Sequence, residues 1–173
     1  MSKSLDFVLK PQECTQWCWA AVTSAIGAFY KDANCPDQCG VASKVLNIGR
    51  DCCSECDCKA DPFDPCNQPK NIARALDEYD HDGGDGPDGV TLSFAQVQAE
   101  INAGRPIAVN VLLHDTAATN HAIVIYGYQD DGKLNIADPM HPDTQISALL
   151  PELMAGTSSD FDGTWKGAFR TKK

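Results

Sequence analysis

The sequence predicts an α+β protein, helical in its N-terminal half and β-rich in its C-terminal half. Three observations carry that reading. Apolar residues recur at helical spacing up to about residue 103, apolar runs of strand length take over from Pro106, and HDGGDGPDG at 81–89 breaks the chain between two regimes. The 173 residues suffice for one domain or for two small lobes sharing a cleft. We read a single domain, with a helical lobe over about 12–89 and a β lobe over about 90–173.

The first helix is predicted from Trp19 to Tyr30, because Trp19, Val22, Ile26, Phe29 and Tyr30 paint one apolar stripe. A second is expected from Lys70 to Tyr79, with Pro69 at its start and Ile72, Ala75, Leu76 and Tyr79 facing inward. The cysteine-rich segment between them is too punctuated by Pro, Asp and Cys to read as regular structure. The acidic loop at 81–89 is expected to be flexible. Ser93 then caps a third helix, with Gln96 in a capping-box relation, Phe94, Val97 and Ile101 on the buried face, and Gly104 at the end. PIAVNVLL, HAIVIYGYQ and KLNIADP read as strands, the last two joined through a turn at Asp130-Asp131-Gly132. Ser147 to Met154 reads as a short helical or irregular crossing interrupted by Pro151, and GTWKGAFR as a final strand.

Composition excludes some roles. The apolar fraction of 43% and charged fraction of 22% are those of a globular protein. A net charge of −10 argues against nucleic acid or anionic membrane as the main partner, since both repel it. No apolar run approaches the ~20 residues of a membrane helix. The opening MSKSLDFVLKPQE lacks the apolar core and small-residue cleavage site of a secretory signal.

The chemistry concentrates in two stretches. In QECTQWCWAA, Cys18 precedes the first helix, where unsatisfied N–H groups and the helix dipole favour a thiolate, and Gln12 stands six residues earlier, able to fold its amide back as an oxyanion donor. A cysteine in that position is, taken alone, more often structural. In NHAIVIYGY, His121 opens an apolar strand, and Asp138 ends the next one, 17 residues on. If the two strands pair through the Asp130-Asp131-Gly132 turn, His121 and Asp138 fall near the same end of the hairpin, provided a small offset or bulge intervenes. His81, His114 and His141 read as surface histidines. Trp19 reads as core; Trp17 either shapes a substrate channel or covers the helix.

QECTQWCWAA resembles the Gln…Cys-Trp-Ala motif of papain-like cysteine peptidases, NHAIVIYGY resembles their histidine strand, and IADP resembles the acidic third member of bacterial branches. The likeness is closest to bacterial papain-fold peptidases of the bacteriocin-leader-processing kind and to injected effector proteases of plant pathogens. It implies a papain-like fold with Cys18 as nucleophile, His121 as acid and base, Asp138 as its orienter and Gln12 in the oxyanion hole. Three departures stand beside it. Asp replaces the Asn of plant and lysosomal members. Cys18 and His121 are only 103 residues apart, which implies pared-down loops. Thr15 occupies the position of a disulfide cysteine, with Cys14 one residue away.

Nine cysteines, seven of them between residues 35 and 66, suit an oxidising compartment. Setting Cys18 aside leaves an even eight, so disulfides are expected to staple the Cys35–Cys66 segment, with Cys14 tethered to Cys52 or Cys53. Structural zinc is the lesser alternative, because neither a second regular C-x2-C pair nor clustered histidines are present. The expected function is peptide-bond hydrolysis through a thioester acyl-enzyme, on a protein or peptide substrate, by an exported monomer with no cofactor. Glutamine deamidation or acyl transfer by the same triad, and a non-enzymatic cysteine-rich binding module, are the alternatives.

Overall fold

In the computed structural model, which describes residues 2–114 and 117–173, the elements run β1 (Lys3–Ser4), α1 (Cys18–Tyr30), α2 (Gln38–Leu46), α3 (Ile72–Asp77), α4 (Phe94–Asn102), β2 (Ile107–Leu113), β3 (Asn120–Tyr128), β4 (Lys133–Ala137), β5 (Ile146–Leu149), α5 (Leu150–Ala155) and β6 (Gly163–Arg170). The strands form one antiparallel sheet in the order β5-β4-β3-β2-β6, and β1 pairs with the far end of β3. This is the α+β arrangement expected from the order of periodicities.

The sheet separates two packed layers. Ala108, Ala122 and Val124 face α1, α2 and α3, together with Phe169 of β6. Alanines at two of these positions let α1 lie close against the sheet, so that its N-terminus reaches the start of β3. On the other face Val109, Val111, Ile123, Ile125, Leu134 and Ile136 pack with α4 and α5. The capping box of α4 is formed by Ser93 and Gln96 in both directions, leaving few free N–H groups at that end.

Several local expectations need correction. The cysteine-rich segment contains α2, started by the Asp37 side chain accepting from the Gly40 N–H and anchored by buried Val41, Ala42, Val45 and Leu46. α3 begins two residues after Lys70, because the Asn71 side chain takes the Ala73 N–H and defines the cap there. Pro151 does not interrupt a helix: it sits in the first turn of α5, where its missing N–H costs nothing. β1 and β5 were not expected as strands. The acidic loop is pinned along β6, where Gly83 N–H donates to Arg170 O, Val90 and Ala168 exchange bonds, and Asp85 pairs with Arg170. Gly89 makes that approach possible: its φ is +70°, and a Cβ there would stand 2.7 Å from Ala168 O. His81 is buried rather than superficial, stacked on Tyr30 and bonded through Nδ1 to Lys172 O. Trp17 is core.

The cysteines pair differently from the expectation. Cys14 joins Cys58, Cys39 joins Cys53, and Cys52 joins Cys66. Cys18, Cys35 and Cys56 are free. The tether of Cys14 therefore runs to Cys58, since Cys52 and Cys53 are taken by Cys66 and Cys39. Eight cysteines do not pair: Cys35 sits against α1 beside the Thr23 carbonyl, while Cys56 lies beside Cys14 in the loop. With sequence separations of 44, 14 and 14 residues, the chain-entropy view assigns each bridge about 3–4 kcal/mol. Thiol counting on denatured, unreduced protein trapped at lysis should find three free thiols, and peptide mapping should recover those three linkages. One free thiol, or nine, would contradict the pairing.

Candidate active site

Cys18 is the first residue of α1. Among the described residues no side chain caps that helix, which leaves first-turn N–H groups without a side-chain partner at the end that carries Cys18. The loop in front of it is held from several sides. The Trp17 indole donates to Cys66 O at 2.7 Å and the Trp19 indole to Gln68 O at 3.0 Å. Gln16 N–H donates to the Asn67 side chain, and the Cys14–Cys58 disulfide closes the base. These contacts join the nucleophile loop to residues 66–68, which gives the cysteine-rich segment a direct part in placing Cys18.

His121 reaches the same point from β3. Its Nε2 donates to Asp138 Oδ1 at 2.6 Å, and both side chains are almost wholly buried. The β3–β4 ladder runs Val124–Ala137, Ile125–Ile136, then slips to Gly127–Asn135. That irregularity at Tyr126 shifts Asp138 one residue nearer the start of β3; with Ala137 opposite Val124, Asp138 stands about two residues short of His121 along the ladder, and the two side chains close the gap. Asp138 Oδ1 also accepts from the Met140 N–H at 2.8 Å, which fixes the carboxylate's direction. With Nε2 committed to Asp138, Nδ1 is the nitrogen left to face Cys18, whose sulfur is close enough to raise the imidazole pKa. Burial pulls the His121 pKa down, but the bonds to Asp138 and Cys18 and their charges outweigh it and raise the pKa to about 9. The arrangement therefore keeps a protonated imidazole beside a sulfur at neutral pH.

Gln12 is placed less directly. Its backbone N–H donates to Pro139 O at 2.9 Å, linking the nucleophile loop to the residue after Asp138. Its side-chain Nε2 donates to Cys14 O at 3.0 Å and Thr15 O at 2.8 Å, and its Oε1 is buried with no partner among the described residues. The residues lining the cleft beside Cys18 do not include it.

That cleft, about 280 Å³, is lined by Cys18, Trp19, His121 and Ala122 together with Gln16, Pro69, Lys70, Asn71, Ile72, Asn110 and Asn120. Sequence reasoning had not singled out Gln16, Lys70, Asn110 or Asn120. Asn110 did carry a signal, being the one polar residue inside PIAVNVLL. Trp19 reaches the cleft and Trp17 does not. His141 is exposed and outside it; only its N–H turns back, to Asp138 O. His114 is half-exposed and pairs with Asp162 and Thr164.

Comparison with known proteins gives the fold and the family. A search of the curated proteins found no match. Among solved structures, the peptidase domain of Streptococcus ComA, a bi-functional ABC transporter involved in a quorum-sensing pathway, superposes with a TM-score of 0.55 at 15% identity, over 95% of this chain and 96% of that one. At that identity the likeness speaks for the fold, which is papain-like. The profile of the Peptidase_C39-like family matches residues 4–166, nearly the whole length. The chain therefore belongs to the Peptidase_C39-like family and is a papain-like cysteine peptidase.

Proposed function

We propose that the chain is an endopeptidase working through Cys18, His121 and Asp138, with the whole chain as one monomeric catalytic domain. The observation that carries this reading is the single imidazole bonded to a buried carboxylate and sharing a cleft with the cysteine that starts α1. The Cys18 proton rests on His121, and the Cys18 sulfur attacks the scissile carbonyl carbon, forming a C–S bond as the carbonyl π electrons move to oxygen. The negative charge on the carbonyl oxygen is met by the Cys18 N–H and by the Gln12 amide, which exchanges one of its two loop carbonyls for the oxyanion. As the C–N bond breaks, His121 delivers its proton to the leaving amine. It then takes a proton from water, whose oxygen attacks the thioester and frees Cys18. Asp138 is a positioning residue: it holds the tautomer and stabilises the imidazolium. The three disulfides support export or another oxidising compartment as the place of work. The pared-down spacing of 103 residues between Cys18 and His121 suits a leader-processing or effector-type peptidase.

A peptide library analysed by mass spectrometry tests the reading. Cys18→Ala should abolish cleavage with the fold intact. Asp138→Ala should lower kcat by about 10²-fold or more, while Asp138→Asn keeps measurable activity. Gln12→Ala should cost about 10²–10³ in kcat. Wild-type turnover in Cys18→Ala sinks the mechanism; wild-type turnover in Gln12→Ala removes only the oxyanion assignment. Substrate glutamines gaining about one mass unit, with no chain cut, would instead make the enzyme a deamidase, because the same acyl-enzyme formed on a side-chain amide releases ammonia.

The raised imidazole pKa also predicts a stability profile. A group whose folded pKa lies above its unfolded value of 6.5 stabilises the fold fully below that value, and the contribution is lost as pH rises through about 9. Between pH 6.5 and 9 the melting temperature of the wild type should fall relative to that of His121→Gln. Parallel curves for the two proteins across that window would contradict the raised pKa.

A further inference from the structure

We infer that Lys70 selects substrates carrying a carboxylate close to the bond that is cut, an inference that rests on the peptidase reading of the Cys18 site. Lys70 lines the same cleft as Cys18 and His121. Among the described residues that line it, Lys70 is the only lysine or arginine, and none is acidic. Among the described residues its ammonium has no ion pair or hydrogen bond, as is also true of Lys10 and Lys59, so what sets it apart is its place beside Cys18 and His121. The His121 charge is balanced locally by Asp138 at 2.6 Å, which leaves Lys70 as the uncompensated cation of the cleft lining.

The rest of the molecule has the opposite sign. The chain carries a net charge of −10, whereas the only Lys, Arg, Asp or Glu side chain lining the cleft is the Lys70 cation. A concave site with apolar walls such as Trp19 and Ile72 focuses such a potential. The backbone beneath Lys70 is also held still. Gln68 O accepts from the Trp19 indole, and the Asn71 side chain both caps Ala73 N–H and donates to Pro87 O. Lys70 thus sits between two pinned residues, one of them bonded to the residue next to the nucleophile. An uncommitted ammonium on a held backbone gives up no existing partner on binding a carboxylate, and a substrate lysine or arginine placed there meets repulsion. Specificity in this arrangement comes from attraction and exclusion at once.

A positional-scanning library of acetylated decapeptides provides the test, read in two ways: products formed by the wild type, and peptides retained by immobilised Cys18→Ala. Asp or Glu should be enriched roughly 3- to 10-fold at one position flanking the cut and among the retained peptides, as expected of a partly screened charge pair, and the enrichment should shrink in 0.5 M salt. Lys70→Met should erase it and Lys70→Glu should turn it toward Lys and Arg, with circular dichroism checking that both variants fold. Products without acidic enrichment, or enrichment unchanged in Lys70→Met, would overturn the role of Lys70 while leaving the peptidase reading intact. Acid-selective retention without any Cys18-dependent product would do the reverse. Absence of both would overturn both.

Discussion

The hydrogen bond between His121 Nε2 and Asp138 Oδ1 joins two side chains that are each only 3% exposed. Removing a carboxylate and an imidazole from water is costly, and a pair so deeply buried is kept only where its geometry is good and its remaining valences are met. Here the Met140 N–H and Cys18 meet them. The bond in turn demands that β3 and β4 slip by one residue at Tyr126, that the turn at Gly132 close the hairpin, and that α1 lie tight against Ala108 and Ala122. Much of the fold can be read as what is needed to satisfy that one contact.

The other half of the constraint is the loop that carries Cys18. Outside α2, the segment from Cys35 to Cys66 is held largely by disulfides, and it is joined to the nucleophile loop through the Trp17 indole at Cys66 O, with the Trp19 indole at Gln68 O and Asn67 just beyond it. Gln12 N–H to Pro139 O then ties this loop to the residue following Asp138. Nucleophile and orienting carboxylate therefore belong to one connected backbone network, although they stand 120 residues apart in the chain. Positioning of this kind is where much of an enzyme's rate advantage originates.

How far the sequence disclosed this depended on whether a feature was local. The stripe from Trp19 to Tyr30, the Ser93–Gln96 capping box and the strands around His121 were legible because period and cap chemistry act within a few residues. Even the bulge was legible, because the counts on either side of Asp130 and Gly132 did not match. α2 was hidden because Cys39, Gly40 and Ser43 dilute its apolar stripe, and Pro151 misled because its effect depends on whether it falls at a helix start. The Cys14–Cys58 pairing depends on how loops fold back in space, which parity cannot supply. The buried state of His81, the two carbonyls that hold the Gln12 amide, and the presence of Lys70 in the cleft all depend on segments meeting across the structure.

The linkage between Cys18 and His121 is open to direct measurement by alkylation with iodoacetamide at pH 6. Burial pushes the Cys35 thiol up to about 12 and raises that of Cys56 as well, so both should stay unreactive there. Mass spectrometry of the wild type should find Cys18 modified first and alone, and His121→Ala should lose that advantage. Alkylation of Cys18 no faster than that of Cys35 and Cys56, or a rate unaffected by His121→Ala, would contradict a nucleophile coupled to the His121–Asp138 pair.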